Sequence, residues 1–489
     1  MVRALSCFAL IVIIPNCSGH KDSVKGDQIL AYVGDRTITI QDFLRRAEYS
    51  IRPAYCRQSN YLHKKIVLNS LIAEKMTGLE MDTKKDDLLE SSNFKKFLKG
   101  RTEQAMRQVF YNDSFYDSVS LSDDDIRERY LLSGRTIQID YLSLPDMEMV
   151  QKFKQLLDGG MPLDSIYSYL WQGDVPSRTI NWFDREPKMI HDGLFREDLE
   201  KGEIIGPFKA DDGTYLVIEV RGWSDQPVIT QDQQDLRWND VSDRLKETSA
   251  TGQFKDYVEN LMKDKKMDLE PETFNSYASI AGDHYLRDEE EKKIAIDQAI
   301  WDNAEQIDLR PFDNRAGLDL SATLFRYDGK NYSVGDFNDM LRSHPLVFRK
   351  RKMNKGEFRS QLKFAIADLL RDMELTRVCY DKGLDSDWRV ESNVFLWEDA
   401  YASRRYMEIN GLDDNATEQE SLDLFGSIID SLQEAYSNKI KINMDAFETL
   451  ELTSTDMLVT QRGLPYPIVV PSFPILTSDN RLDYGSILK

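Results

Sequence analysis

The sequence predicts an α+β protein: duplicated, mostly helical modules with small β-hairpins, plus one α+β domain inserted into the first copy. Three observations predict this class. The block "LAYVGDRTITIQDF" (Leu30 to Phe43) returns as "LFRYDGKNYSVGDF" (Leu324 to Phe337). Each is followed by an apolar helical stripe, and "KMDLEPETF" (Lys266 to Phe274) closes the first copy as "KIKINMDAF" (Lys439 to Phe447) closes the second. Only the first copy holds a further run of strands and helices between its opening and closing blocks. Matched blocks in the same order argue against a chance likeness of two amphipathic stretches.

In each opening block a two-residue turn, Gly34-Asp35 or Asp328-Gly329, separates short β-prone runs, which is a hairpin signal. Thr39 is followed three residues on by Asp42, and Ser333 by Asp336, the spacing of a capping box. The hairpin should therefore run directly into a helix. The next helix is read from Ile66, Val67, Leu71, Ile72 and Met76 in the first copy. Its counterpart carries Leu362, Ala365, Ile366, Leu369, Leu370 and Met373, with Gly383 as a suitable stop. In the closing blocks Met267/Ile440, Leu269/Ile442 and Phe274/Phe447 fall in register, giving a short strand and a short helix. The stretch "RDEEEKKIAIDQ" (Arg287 to Gln298) reads as a solvated helix, because Ile294, Ile296 and, just beyond it, Ile300 supply apolar positions.

At 489 residues the chain exceeds one core, and about three domains are expected. The formal net charge of −21 argues against nucleic-acid binding, which needs clustered Lys and Arg. An acidic surface also keeps a chain soluble. Aromatic residues at 10% indicate a chain that folds rather than an acidic tail. Residues 1–17 read as a signal peptide: Arg3 supplies the positive end and Ala4 to Ile14 an apolar run too short to span a bilayer. The run ends at Pro15-Asn16-Cys17, which resembles a bacterial lipoprotein signal; lipidation of Cys17 is favoured over ordinary cleavage. Past that point only Cys56 and Cys379 remain, and a disulfide or two buried thiols stand as equal readings.

The insert opens with "LSDDDIRERY" (Leu121 to Tyr130) and an alternating strand, Ile137 to Leu142. An amphipathic helix ends at Gly159-Gly160, and Asp212-Gly213 turns the chain into a second strand, "TYLVIEV". Strand, helices and closing strand make a domain of about 90 residues, an ordinary size. Here the chain resembles SurA/PrsA-like periplasmic foldases that carry a parvulin-type (PpiC, or rotamase) peptidyl-prolyl cis-trans isomerase domain. "LEKGEIIGPFKADDGTYLVIEV" (Leu199 to Val220) is similar to that domain's closing segment, "NWF" (Asn181 to Phe183) to its Gly-Trp-Phe, and "VGDRTITIQDF" to the chaperone-module start.

The resemblance places the family's two site histidines at Tyr141 and Tyr215, and none of His20, His63, His191, His284 and His344 falls on a motif position. Two phenols in these places leave a binding-only domain, which is favoured, or a weak isomerase using the tyrosines as hydrogen-bond donors. The resemblance also assigns a proline slot to Met189, Phe195, Trp182, Phe183 and Phe208. For Trp182 and Phe208 an ordinary core role is the favoured reading, whereas Met189 and Phe195 flank a loop and are the better exposed contacts.

Neither a metal nor a small-molecule cofactor is expected, since no Cys/His spacing, phosphate loop or nucleophile elbow occurs. Asp123-Asp124-Asp125 reads as a helix start rather than a cation site. The implied partners are unfolded or nascent exported polypeptides, and the membrane through lipid at Cys17. The implied place is the periplasm, at the outer membrane. The domains are then 1–17 (signal peptide), 18–134 with 225–280 (first module), 135–224 (parvulin-like insert), 281–452 (second module) and 453–489 (proline-rich arm). The modules should form a cradle. "GLPYPIVVPSFPIL" (Gly463 to Leu476) should be extended. It either lies along the cradle in place of a client or is a terminal arm, and the second reading is preferred.

Overall fold

The computed structural model describes residues 26–171, 173–184, 186–210, 213–286, 318–350, 353–413, 416–453, 457, 461 and 464–488. The leader, Cys17 and the stretch from Arg287 to Gln298 lie outside the described residues. From the N-terminal side the elements are β1 (Ile29–Val33), β2 (Arg36–Thr39), α1 (Ile40–Glu48), α2 (Tyr61–Asp82), α3 (Ser92–Tyr111) and α4 (Asp123–Leu132). Next come β3 (Arg135–Leu144), α5 (Met147–Asp158), α6 (Leu163–Trp171), β4 (Ser177–Asn181), α7 (Lys188–Leu194), β5 (Ile204–Lys209), β6 (Tyr215–Asp225) and α8 (Gln231–Met262). They are followed by β7 (Met267–Leu269), α9 (Pro271–Tyr285), β8 (Thr323–Tyr327), β9 (Lys330–Ser333), α10 (Val334–Leu341) and α11 (Lys355–Asp381). The last are α12 (Trp388–Ile409), α13 (Glu418–Tyr436), β10 (Ile440–Ile442), α14 (Met444–Thr449) and β11 (Ser486–Ile487). Helices with small sheets make this an α+β chain. It divides into two compact units, Met1–Phe110 with Leu261–Lys489, and Tyr111–Asn260.

In the first unit the two opening blocks fold alike. β1, β2, α1 and α2 begin at Ile29, Arg36, Ile40 and Tyr61; β8, β9, α10 and α11 begin at Thr323, Lys330, Val334 and Lys355, a constant offset. Both turns use positive φ, at Gly34 (64°) and at Asp328 and Gly329 (48° and 78°). Both capping boxes form. Thr39 Oγ1 accepts from the Asp42 N–H and the Asp42 carboxylate accepts from the Thr39 N–H, each at 3.0 Å. Ser333 and Asp336 repeat the exchange at 3.0 and 2.9 Å. A cap of this kind stabilises a helix by about 0.5–2 kcal/mol.

The closing strands are exchanged. β10 pairs antiparallel with β1 in a sheet of order β11-β10-β1-β2, and β7 pairs antiparallel with β8 in a sheet of order β7-β8-β9. Grouping residues 18–134 with 225–280, apart from 281–452, is therefore corrected: each hairpin takes its third strand from the other stretch. The closing strands carry the same apolar alternation, so strand pattern alone fits either hairpin. Helix packing distinguishes the two pairings. On α2, Lys75 pairs with Asp399 of α12 and Thr77 donates to Ser403 at 2.8 Å. On α3, Arg107 donates to Thr376 of α11 at 2.6 Å, and Glu103 accepts from Tyr380 at 3.1 Å. One core accordingly joins Leu30, Phe43, Val67 and Leu71 to Phe425, Ile429, Ile440 and Phe447. The other joins Phe274 and Tyr277 to Leu324, Phe325, Leu362 and Ile366. Each buried apolar side chain of this size contributes about 1.5–3 kcal/mol.

Gly78 sits inside α2, where glycine costs about 1 kcal/mol. A Cβ there would lie 1.9 Å from the Arg36 guanidinium, which crosses the helix to reach Asp399. Deeper still, Arg46 is fully buried and bidentate on Glu74 at 2.7 and 2.8 Å. Cys56 and Cys379 are both buried free thiols, which decides between their two readings.

The second unit holds an antiparallel sheet of order β4-β3-β6-β5. The helices α5 and α6 cover one face through Leu142, Leu144, Val150, Phe153, Leu163, Ile166 and Val217. On the other face α7 packs Ile190 and Leu194 against Ile137, Ile139, Ile180, Ile218 and Val220. Asp123 to Asp125 form the first turn of α4, whose Ser122 cap exchanges hydrogen bonds with Asp125. Among the described residues no group of three or more His, Cys, Asp or Glu could hold a metal ion. Among the same residues no helix is long and apolar enough to cross a membrane.

Candidate functional site

The sheet's period of two decides where each expected side chain goes. Tyr141 of β3 lies opposite Ile218 of β6, on the face covered by α7. Tyr215 lies opposite Leu144, on the face covered by α5 and α6. The two tyrosines therefore stand on opposite faces, and the pairing expected across one cleft is corrected. The β6 residue beside Ile218 on the Tyr141 face is Leu216, which brings no hydrogen-bonding group. A register misread by one residue moves a strand's whole side-chain set to the other face, and Tyr215 is such a case.

Tyr141 is half-buried. Its N–H donates to the Pro176 carbonyl at 2.9 Å, and the Arg178 guanidinium lies 5.6 Å from its ring centre. Arg178 is held by Glu186 at 2.9 Å. On the opposite face the neighbouring Asp140 is paired with Arg221 at 2.5 Å, and Arg221 also reaches Glu219 at 3.1 Å. Burial raises the Glu219 carboxyl, against the pull of Arg221. This charged cluster lies on the side away from Tyr141.

The floor under α7 is aromatic. Trp182 and Phe195 are buried and meet edge to face, with ring centres 5.3 Å apart. His191 lies 4.6 Å from each ring, and its Nε2 is 3.0 Å from the Trp182 carbonyl oxygen. A carbonyl only accepts, so Nε2 carries the proton and donates. Burial first, then the Arg244 charge, lowers the imidazole to about 4, so the ring is neutral at pH 7. His191 thus ties the start of the loop after β4 to α7, which no sequence motif signalled; its only trace is apolar Ile190 and Leu194 at helical spacing around it.

That loop and the first turn of α7 carry the accessible apolar groups. Phe183 is 44% and Met189 57% exposed, whereas Phe195 is 1% exposed. Phe195 is therefore corrected from exposed contact to floor: it follows directly on α7 and its N–H bonds back to His191. Trp182 is also floor. Phe208 of β5 is half-buried beneath α7, and a Cβ on Gly193 would approach its ring to 3.4 Å. The Trp182 indole N–H is buried and meets no acceptor among the described residues. Of the expected set, the structure brings Tyr141, Trp182, Phe195 and Phe208 together on one side of the sheet, leaves Tyr215 on the other, and exposes Phe183 and Met189 to solvent.

No protein-family model and no curated protein matches this chain. Among solved structures it is similar to a peptidylprolyl isomerase (PrsA) from Bacillus cereus, with 12% identity, 47% of this chain and 93% of that chain covered, and a TM-score of 0.20.

Proposed function

We propose that this protein is a periplasmic chaperone of the SurA/PrsA foldase type, held at the outer membrane by lipid on Cys17, that binds unfolded exported or outer-membrane polypeptides. The two hairpin-and-helix blocks are copies of one chaperone module with exchanged closing strands. Residues 135–224 are a parvulin-like domain that binds client segments without turning them over.

The observation that carries the reading is the exposure of two apolar side chains, Phe183 beside Trp182 and Met189 in the first turn of α7, on a segment tied down through His191, Trp182 and Phe195. Large apolar groups held rigid at a surface suit the side chains of an unfolded chain. Catalysis is poorly supplied. Prolyl isomerisation starts from a barrier of ~18–20 kcal/mol, and each tenfold acceleration needs about 1.36 kcal/mol of selective stabilisation. Tyr141 and the buried Trp182 indole N–H are the expected polar groups on this face, Leu216 stands beside Tyr141, and the His191 donor is already engaged.

The test joins two assays on the same preparation. The chain is expected to suppress light scattering by a denatured client and to leave a proline-peptide isomerisation rate unchanged. Phe183→Ser with Met189→Ser should reduce the protection several-fold. An isomerisation acceleration abolished by Tyr141→Phe would replace this reading with an active enzyme, and no protection of any client would leave a scaffold for one folded partner.

A further inference from the structure

The segment from Leu464 to Leu488 is not a free arm. It runs without regular structure until β11, and Tyr466, Val470, Phe473 and Leu476 are buried along it. From Val470 the large buried apolar side chains, Val470, Phe473 and Leu476, recur at every third residue, and the first two are each followed by a buried proline, Pro471 and Pro474. Three residues per turn is the period of a polyproline II chain. Phe473 and Leu476 enter the core built by α1, α2 and α13. The Tyr466 hydroxyl donates to Asp372 of α11 at 2.8 Å.

The groove addresses this segment largely by its main chain. Arg46 Nη2, fixed by Glu74, donates to the Ser472 carbonyl at 2.7 Å. Ser421 donates to the Ile475 carbonyl at 2.7 Å, and Asn69 Nδ2 to the carbonyls of Asp479 and Arg481, both at 2.7 Å. β11 then adds to β10 as a parallel edge strand, with Ser486 opposite Lys441. Carbonyls are common to every polypeptide, so donors aimed at them recognise an extended chain whatever its sequence. Pockets for regularly spaced side chains supply the selection. Prolines lose nothing in such a groove, since no N–H is asked of them.

We propose that the groove lined by Arg46, Asn69 and Ser421 is a binding surface for extended, proline-containing polypeptide with apolar residues at every third position, and that residues 466–487 are its tethered occupant. The proposal rests on the reading of the protein as a polypeptide-binding chaperone. A client with this spacing takes the place of the arm, so the resident segment sets a threshold that weakly matching chains do not pass.

The test uses full-length chains and a fluorescent synthetic peptide with the sequence of residues 464–488. Phe473→Ser with Leu476→Ser loosens the arm while leaving every groove residue in place. This variant should bind the peptide at least tenfold more tightly than the unsubstituted chain. An unlabelled, unstructured peptide with apolar residues every third position beside prolines should displace it, and a serine-substituted version should not. A folded variant that fails to bind the labelled peptide overturns the proposal, as does binding that the apolar competitor leaves untouched. If the double variant does not fold, Tyr466→Phe removes the arm's bond to Asp372 while leaving every groove donor in place, and should raise peptide binding severalfold; no rise overturns the proposal. Protection of clients that persists without competition for the groove refutes this inference alone. Groove binding in a chain that protects no client refutes the chaperone reading and keeps the groove.

Discussion

Lowering the pH from 7.5 to 5.0 should loosen the β4–α7 region of the second unit through His191 alone. Burial and the Arg244 charge hold this imidazole near 4 in the folded chain, while the unfolded chain returns it to about 6.5. The folded pKa of a base is depressed, so the folded state binds fewer protons between the two values. Stability is complete above about 6.5, declines as pH falls through that window, and levels off below about 4. With 1.36 kcal/mol per unit, the loss is about 2 kcal/mol at pH 5 and about 3 kcal/mol at its limit. The readout is hydrogen exchange of amides in 177–195 at the two pH values, corrected for intrinsic rates. His191→Phe keeps an aromatic ring between Trp182 and Phe195 but cannot titrate. It loses the bond to the Trp182 carbonyl, a cost of about 1 kcal/mol at both pH values. The unsubstituted chain should lose protection on acidification and the variant should not. Equal pH sensitivity in both would refute the argument, because some other group would then be responsible.

Four further outcomes are expected. Glu74→Gln removes the carboxylate charge that offsets buried Arg46 and leaves it only neutral amide and Ser472 carbonyl oxygens, so the urea midpoint of the first unit should fall by the equivalent of about 3–5 kcal/mol. Gly100→Ala should destabilise despite its better helix propensity, since the new Cβ would lie 1.9 Å from the Ser343 carbonyl; a loss of about 1–3 kcal/mol is expected in thermal melts. Burial raises Cys56 to about 12 and Cys379 to about 11, so at pH 7.5 mass spectrometry should find both unlabelled by a thiol reagent until the chain is denatured. Leu476→Ala, at a fully buried arm position, should cost the first unit about 2–5 kcal/mol in a denaturant titration.

Features fixed by neighbouring residues were legible in the sequence. The turns at Gly34 and Asp328-Gly329 and the boxes at Thr39 and Ser333 involve partners within three positions, and each forms as its local chemistry dictates. Features fixed by register or by distant packing were not. The resemblance puts Tyr215 with Tyr141, but counting back in twos from buried Val220 and Ile218 leads to Leu216 on the Tyr141 face. Phe195 looked like a loop residue because α7 is one short helix whose N-cap, Pro187, offers no side-chain bond to announce it. Nothing local marks the arm as docked, because its partners come from distant helices: Arg46 and Asn69 lie 426 and 410 residues from the carbonyls they bind, and Ser421 lies 54 residues away.

The strand exchange has a consequence for assembly of the fold. Asn443 reaches the Ile29 carbonyl across a sequence separation of 414, and β10 is the strand that completes the β1–β2 hairpin. A two-stranded hairpin is marginal alone, and α2 presents Val67 and Leu71 to Phe425 and Ile429 of α13. The first core therefore cannot form until the C-terminal stretch is present, whereas the second core, among the described residues, draws on those between Met262 and Met373. Contacts of such long separation also form late, because the loop they close must first be ordered. A chain ending at residue 381 should keep protected amides in β7–β9 and α11 while residues 29–39 exchange at the rate of an unfolded peptide. Adding residues 388–489 in trans should restore their protection. Protection of residues 29–39 in the shortened chain alone would mean that β7 or another strand substitutes for β10, and that the exchange is an alternative pairing instead of an obligatory one.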